Sequence, residues 1–194
     1  MSRHSTLTDP AIHEPKGIST ATNGQVYVAN GAGSGAWANQ STIPSGAVIQ
    51  TIKNQVSATS TGTTLIPFDN TIPQNTEGTQ FFSATVTPGA IGNKIRIHCL
   101  AYGAYSVAAS VSMALFQDST ANALSAVATQ TTTTNQAHEL TLIYEYTVAS
   151  TAATTFNIRI GGSTAGTYTL NGSAGAAIFG GVATSILSIQ EIKA

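Results

Sequence analysis

From Gly46 to the end of the chain, apolar and polar residues alternate with a period of two. This period is typical of β-strands with one buried face, because successive side chains of a strand point to opposite sides of the sheet. No segment has the i, i+3, i+4, i+7 spacing of an amphipathic helix, and residues 121–129 are interpreted as a strand plus a loop. The predicted strands are 48–56, 82–86, 94–101, 106–115, 139–148, 156–160, 167–170 and 186–192.

Turn-forming pairs, among them Pro88-Gly89 and Asn171-Gly172, separate these segments. Many short strands at this spacing are typical of two packed antiparallel sheets. The sequence therefore predicts an all-β fold, an antiparallel β-sandwich of the jelly-roll type, for residues 46–194.

Residues 1–45 have a different character. They are rich in proline and glycine, and only Gln25–Ala29 has the pattern of a short strand. A segment of this composition does not bury enough apolar surface to fold alone. We therefore predict that residues 1–45 form an extended attachment arm, held against another subunit or a different protein.

Charged residues are scarce in this chain. Seven Lys and Arg and eight Asp and Glu make up 8% of 194 residues, against about 25% in a typical domain. A net charge of −1 leaves no basic surface for phosphate backbones, which argues against nucleic-acid binding. The longest weakly polar run, residues 174–183, is far shorter than the ~20 residues of a membrane helix, and the N-terminus has no pattern of a secretory signal.

The acidic residues offer little for catalysis. Glu139 and Glu145 lie on one polar strand face, about 20 Å apart. A glycosidase carboxylate pair is separated by roughly 5 to 9.5 Å, although a carboxylate from a neighbouring strand remains open as a partner. We interpret both residues as solvated acids and predict that the chain is not an enzyme and uses no cofactor.

The four histidines lack the spacing of a metal site. His4 and His13 lie in the arm, and His98 and His138 lie on an outward strand face and at a strand start. We interpret them as exposed polar residues or hydrogen-bonding groups between subunits, the alternatives being a metal ligand or a general base.

Two further features are interpreted as chemically inert. The run Gly31–Gly35 lacks the Lys-Ser/Thr ending of a P-loop and the spacing of a dinucleotide fingerprint, so we interpret it as a flexible turn. Cys99 lies on the same predicted inward strand face as Ile95 and Ile97, which predicts a buried thiol. A single cysteine also forms no internal disulfide, which fits synthesis in a reducing cytosol.

Three parts of the chain carry a family resemblance. Residues 13–17, 20–21, 24–28 and 31–37 resemble the N-terminal segment of small structural proteins of tailed bacteriophages. Residues 66–78, with the sequence IPFDNTIPQNTEG, are similar to a segment of phage β-sandwich heads of the tumour-necrosis-factor-like type, and residues 186–192 are similar to the last strand of such heads.

The resemblance implies a homotrimer on the virion surface, with strand faces such as Ala108, Ala114 and Phe116 packed around a threefold axis. It also implies a role for the arm, in which Gln25–Ala29 adds a strand to the edge of a partner sheet and large aromatic residues act as anchors. In the alternative, Trp37 packs against the sandwich of its own chain. The predicted partner-binding residues of the arm are His13, Pro15, Lys16, Gly17, Val26, Tyr27, Val28 and Trp37.

Two functions from different classes follow. The first is a capsid decoration (cement) protein, bound to the major capsid protein on the outer surface of a phage head. The second is the receptor-binding tip of a tail fibre or tailspike, in which loops 161–166 or 129–135 contact a host glycan with Tyr168 nearby. A glycan-cleaving enzyme is the third alternative, and it lacks the close carboxylate pair that the reaction needs.

Overall fold

A computed structural model of the chain describes residues 25–29, 35–39 and 44–194. The chain divides into two units at residues 44 and 45, and each is described by itself. The strands are β1 (Gln25–Ala29), β2 (Gly35–Asn39), β3 (Val48–Val56), β4 (Ser60–Gly62), β5 (Thr79–Val86), β6 (Lys94–Tyr105), β7 (Ser110–Gln117), β8 (Ser125–Gln130), β9 (Gln136–Thr147), β10 (Thr154–Gly162), β11 (Tyr168–Leu170), β12 (Gly172–Ser173), β13 (Ala176–Ala177) and β14 (Ser185–Ile192).

Two antiparallel sheets form the second unit. One sheet has the strand order β5-β10-β7-β8. The other has the order β3-β14-β6-β9. The short strand β11 pairs with the C-terminal end of β6, and β4 pairs with β11. From β4 to β11 the chain crosses to the other sheet at every step except β7 to β8, which pair with each other, and crossings of this kind are found in jelly rolls. The prediction of an all-β antiparallel β-sandwich is confirmed.

The strand faces follow the alternation of the sequence. In β6, Ile95, Ile97 and Cys99 are fully buried, whereas Lys94 and Arg96 are exposed. Strand β8 confirms the interpretation of residues 121–129 as a strand plus a loop. The sequence predicts that this strand begins at residue 106, but β7 begins at Ser110. Residues 106–108 form a bend instead, in which the Ser106 amide donates to the Thr167 carbonyl at 3.0 Å.

The core lies between the two sheets. Its members are apolar side chains on the inward faces of both, and the largest are Phe82, Phe156, Tyr105, Tyr168, Met113 and Leu142. Glycines make room for the tyrosines: a Cβ on Gly103 would overlap the Thr169 carbonyl and lie 2.7 Å from the Tyr168 ring. Among the described residues, no helix is long and apolar enough to cross a membrane.

A loop covers the outer face of the four-stranded sheet. We name residues 66–78 the strap. Its ends are held by backbone bonds from Ile66 to Gly162 (3.1 Å) and from Gly78 to Leu65 (2.8 Å). The Ile66 side chain packs on Ala114 and Phe116 in a small second core that is separate from the main one.

Candidate interaction sites

The arm contains a β-hairpin. Strands β1 and β2 pair antiparallel, with Val26 opposite Ala38 and Tyr27 opposite Trp37. The Tyr27 and Trp37 rings meet edge to face, with their centroids 5.4 Å apart, a geometry that aromatic pairs prefer. The strand predicted at Gln25–Ala29 is therefore present, but it pairs with a strand of its own chain that the sequence analysis does not predict.

The two faces of the hairpin differ. One carries the Tyr27–Trp37 pair, and the other presents Val26 and Val28, which are 40% and 51% exposed. A two-stranded hairpin is marginally stable by itself in water and needs further strands or a packing surface. Its geometry therefore suits attachment to a partner, either by covering the valine face or by extending the sheet along β1 or β2.

The remaining predicted arm residues, His13, Pro15, Lys16 and Gly17, lie outside the described residues, as do His4 and most of the glycine-rich run 31–35. The last glycine of that run, Gly35, begins β2. A Cβ at this position would overlap the Val28 carbonyl oxygen and lie 2.7 Å from the Tyr27 ring. This glycine is therefore required by the close approach of Tyr27 rather than by a phosphate.

The two candidate catalytic carboxylates, Glu139 and Glu145, lie on the exposed side of β9. Glu145 forms an ion pair with Arg96 on β6 at 3.2 Å, and Glu139 accepts a hydrogen bond from the Thr141 hydroxyl at 3.0 Å. No group of three or more His, Cys, Asp or Glu side chains within the described ranges is arranged to hold a metal ion.

His138 is not the exposed residue that the sequence predicts. It lies on the inward face of β9, where its Nδ1 is 3.1 Å from the Gln136 carbonyl oxygen and its ring stands 5.7 Å from that of Tyr168. Its Nε2 and the Tyr168 hydroxyl are both buried, and neither has a hydrogen-bond partner among the described residues. Burial lowers the pKa of His138, although the contact with Gln136 opposes this shift.

Cys99 is fully buried, as predicted. Burial raises the pKa of its thiol to about 12, so the reactive thiolate is not populated at neutral pH. Burial also raises the pKa of Tyr168, and the nearby Cys99 contributes to the shift. This inward cluster is suited to packing rather than to acid–base chemistry.

The outer face of the second sheet is mixed: apolar side chains share it with Glu139, Thr141 and the exposed Arg96–Glu145 ion pair. Leu100 lies opposite Ile186 of β14 and Thr141 of β9, and Ile143 in the neighbouring row is 64% exposed. At one end of this face the ring of Phe179, 70% exposed, stands 6.3 Å from that of Tyr102. We name these five apolar and aromatic residues the outer apolar face: Leu100, Tyr102, Ile143, Phe179 and Ile186.

Phe179 adopts a positive φ of 49°, which is uncommon for a residue with a Cβ. The two glycines that follow it also have positive φ values. Backbone strain of this kind persists where the surroundings hold it and is often found at functional positions. Here it places a large apolar ring at the surface.

The threefold-axis assignment of Ala114 and Phe116 is wrong. Both side chains are buried, at 0% and 1% exposure, because the strap of the same chain packs Ile66 over them. Of the three residues proposed for that role, Ala108 alone is exposed. The sequence gives no direct sign of this cover, since the strap lacks the alternation of a strand.

The strap also forms one wall of a cleft. The cleft has a volume of about 230 Å³ and lies between Phe68, Asp69 and Thr71 on the strap and Ala126 and Ala128 on β8. Its floor consists of small outward residues, among them Ala126 and Ala128 of β8. Phe68 is 65% exposed at its edge.

The loops predicted to contact a glycan lack an exposed aromatic residue in the structure. Tyr168 is fully buried, and the loop 161–166 packs against Tyr105, whose hydroxyl donates to the Thr164 carbonyl at 2.7 Å. Within the β-sandwich of residues 45–194, the exposed aromatic rings are those of Phe68 and Phe179. Both lie in segments between strands that are outside these two loops in sequence.

No family model and no curated protein matches the chain. Similar solved structures include latent PorU from Porphyromonas gingivalis (9% identity, TM-score 0.34, covering 77% of this chain and 14% of that one) and the enzymatically active domain of tailspike protein 4 from bacteriophage CBA120 (13%, 0.25, 65% and 19%). A third is infectious bursal disease virus, Gx strain (9%, 0.33, 86% and 42%). This chain spans less than half the length of each, and TM-scores below 0.5 assign it to no family.

Proposed function

We propose that the chain is a structural protein of a tailed-phage virion, a capsid decoration (cement) protein that binds the major capsid protein through its N-terminal arm. The hairpin β1–β2 carries this proposal. It combines an aromatic pair, an exposed valine face and two strand edges in a unit too small to be stable alone. These features suit a segment that acquires its remaining contacts from a partner.

The composition supports the same function. A surface with few charges and a net charge of −1 does little to oppose close packing of many copies. When several arms belong to one assembly, a weak contact per arm is strengthened by effective concentration, commonly about 10²- to 10⁴-fold. A decoration protein with modest individual contacts then remains attached to the head.

We further propose that the β-sandwich of residues 45–194 forms a homotrimer and that the outer apolar face lines its threefold contact. Surface patches of this kind on soluble proteins usually mark an interaction site. Ile143→Asp places a charge at the middle of the face and is expected to yield monomers in sedimentation equilibrium. Ile91→Asp is the matched control, because Ile91 is 69% exposed but lies in the loop before β6. A trimer that survives Ile143→Asp would refute this contact.

Attachment is tested on capsids that lack the protein. Trp37→Ala is expected to weaken binding of the full chain by about 2 kcal/mol if the aromatic pair is a hot spot. Val28→Asp should weaken it as well, and Ile91→Asp on the head should leave it unchanged. If both hairpin variants bind with the wild-type affinity, attachment through the arm is wrong.

Location is tested separately by electron microscopy of virions labelled with gold-tagged antibody against residues 46–194. Gold distributed over the heads supports the decoration function, and removal of the protein should then lower the stability of the capsid. Gold confined to tail tips would contradict it and favour the receptor-binding alternative.

A further inference from the structure

The cleft beside the strap differs in its chemistry from the other surfaces of the β-sandwich. Its lining combines an exposed aromatic ring, a carboxylate and hydroxyl groups around a floor of small side chains. The other large exposed apolar residues, such as Ile143 and Ile91, are not part of its lining. The cleft is therefore a separate feature from the outer apolar face.

The floor of the cleft comes from two adjacent strands. Ser112 of β7 lies opposite Ala128 of β8, and Ala114 lies opposite Ala126. Three of these small side chains, Ser112, Ala126 and Ala128, line the cleft, and the strap leaves a recess above them, whereas Ala114 is covered by Ile66. The recess is held open on one side by Pro67 and Pro73, whose fixed φ angles stiffen the strap.

The strap is anchored on both sides of the recess. The Pro73 carbonyl accepts a bond from the Ala123 amide at 2.9 Å, and the Arg159 guanidinium donates to the Gly78 carbonyl at 2.8 Å. The wall of the cleft is thus largely formed before any ligand arrives, as is usual for small-molecule sites.

The polar groups of the cleft favour a ligand that donates hydrogen bonds. The Asp69 carboxylate accepts bonds from the Thr71 hydroxyl and amide through Oδ1, and its Oδ2 accepts none within the described structure. These bonds keep the pKa of Asp69 below its ordinary value, so the group is an acceptor at neutral pH. None of the nine described residues that line the cleft is Lys, Arg or His, which disfavours an anionic ligand.

We propose that this cleft binds one neutral sugar residue of a glycan. The exposed ring of Phe68 packs on the apolar C–H face of the sugar, and Asp69, Thr71 and Ser112 bond its hydroxyls. A volume of about 230 Å³ corresponds to roughly eight waters, enough for a single ring and below the 300–1,000 Å³ of pockets for drug-sized ligands. The inference goes beyond attachment to the virion and holds for a head or a tail location.

The test is ligand-observed saturation-transfer NMR on the full chain with D-glucose, D-galactose and N-acetyl-D-glucosamine, paired with amide chemical shifts of the protein. At least one sugar is expected to bind with a millimolar Kd and to shift amides of residues 66–73, 112 and 126–128. Phe68→Ala should weaken this binding about tenfold or more. Ile91→Ala is the matched control, because Ile91 is a large apolar side chain that is 69% exposed and belongs neither to the cleft lining nor to the outer apolar face.

Two variants separate the site from the fold. Ala128→Leu fills the floor at an exposed position and is expected to abolish sugar binding without lowering the melting temperature. Asp69→Asn keeps a side-chain oxygen for Thr71 but removes the charge, and it should weaken binding severalfold. The proposal is overturned if no sugar of the panel binds, if Phe68→Ala and Ala128→Leu bind as the wild type does, or if a cationic probe such as choline binds in place of the sugars. Capsid attachment through the arm is unaffected by any of these results.

Discussion

Glu191 connects the last strand to a distant turn, and its removal tests that connection. The side chain is 2% exposed. Its Oε1 accepts bonds from the Gly89 amide at 2.8 Å and from the Asn93 side-chain amide at 2.6 Å. With its amide nitrogen turned toward the carboxylate, Gln50 lies 3.2 Å from Oε2. The carboxylate of Glu191 thus accepts hydrogen bonds from β3 and from the segment between β5 and β6.

The expected loss of stability follows from these bonds. Hydrogen bonds to charged groups contribute about 1.5–3 kcal/mol each. When Glu191 becomes Ala, the Gly89 amide regains water because Gly89 is exposed, whereas Asn93, at 4% exposure, is left with a buried unpaired donor. We therefore expect Glu191→Ala to lower the free energy of unfolding by about 3 kcal/mol.

Glu191→Gln separates the loss of charge from the loss of the bonds. The new side chain keeps an oxygen for Gly89 and Asn93, and Gln50 can turn its own oxygen toward the new amide, so we expect a loss of about 1 kcal/mol. Both variants are measured by urea unfolding at one protein concentration, with the m-value required to stay constant. The control is Glu139→Ala on the exposed face of β9, which should change stability by less than about 0.5 kcal/mol.

Two results would refute the reasoning about Glu191. One is a loss below about 1 kcal/mol for Glu191→Ala, since a buried donor would then be unpaired at little cost. The other is additivity in a double-mutant cycle with Asn93→Ala, because residues that share a buried bond should couple by about 1 kcal/mol or more.

The other predictions concern the inward cluster around Tyr168. Because burial holds the pKa of His138 below its ordinary 6.5, the unfolded chain binds more protons than the folded one below that pH. The melting temperature should thus fall as the pH drops from about 6.5, and less so in His138→Leu. Gly103→Ala should lower stability by about 2–3 kcal/mol because its Cβ meets the Tyr168 ring, whereas Gly89→Ala, with no Cβ neighbour closer than 3.5 Å, should be near neutral in the same urea assay. Cys99, with a buried thiol of raised pKa, should react with Ellman's reagent at pH 8 only after unfolding.

The strand faces were predictable because alternation records which side chains are buried. In β6 and β10 the buried residues occur at every second position and are mainly apolar. A period of two therefore identifies both the strand and its buried face. Alternation fails where both faces are covered. Strand β7 is buried on both sides, and the outward position of Ala114 is indistinguishable in sequence from an exposed one until the strap is placed over it.

A second source of error is His138, a polar residue at an inward position, and the burial of Glu191 is not predicted by the sequence for the same reason. His138 and Glu191 stand in strands whose neighbouring inward residues are apolar, and a polar residue beside a strand end is ordinarily exposed. Their burial depends on partners far away in sequence: Glu191 is bonded to Gly89, 102 residues earlier. A local pattern carries no information on such contacts, whereas the buried Cys99 needs only its own strand.

The strap explains why the segment 66–78 is distinctive in sequence although it forms no regular strand. Asp69 and Thr71 close a turn through the Asp69 carboxylate, and Glu77 bonds the Gln74 amide through its Oε2 while its own amide donates to the Gln74 carbonyl. Gly78 then needs a φ of +66°, which is readily adopted by glycine. Asp69, Thr71, Gln74 and Glu77 thus form hydrogen bonds that fold the strap, which lies over Ala114 and Phe116. The exposed ring of Phe68 does not pack on the second core formed by Ile66, Ala114 and Phe116. Its position is therefore not explained by the folding of the strap, unlike the positions of Asp69, Thr71 and Glu77. This difference favours a binding role for the cleft that Phe68 lines.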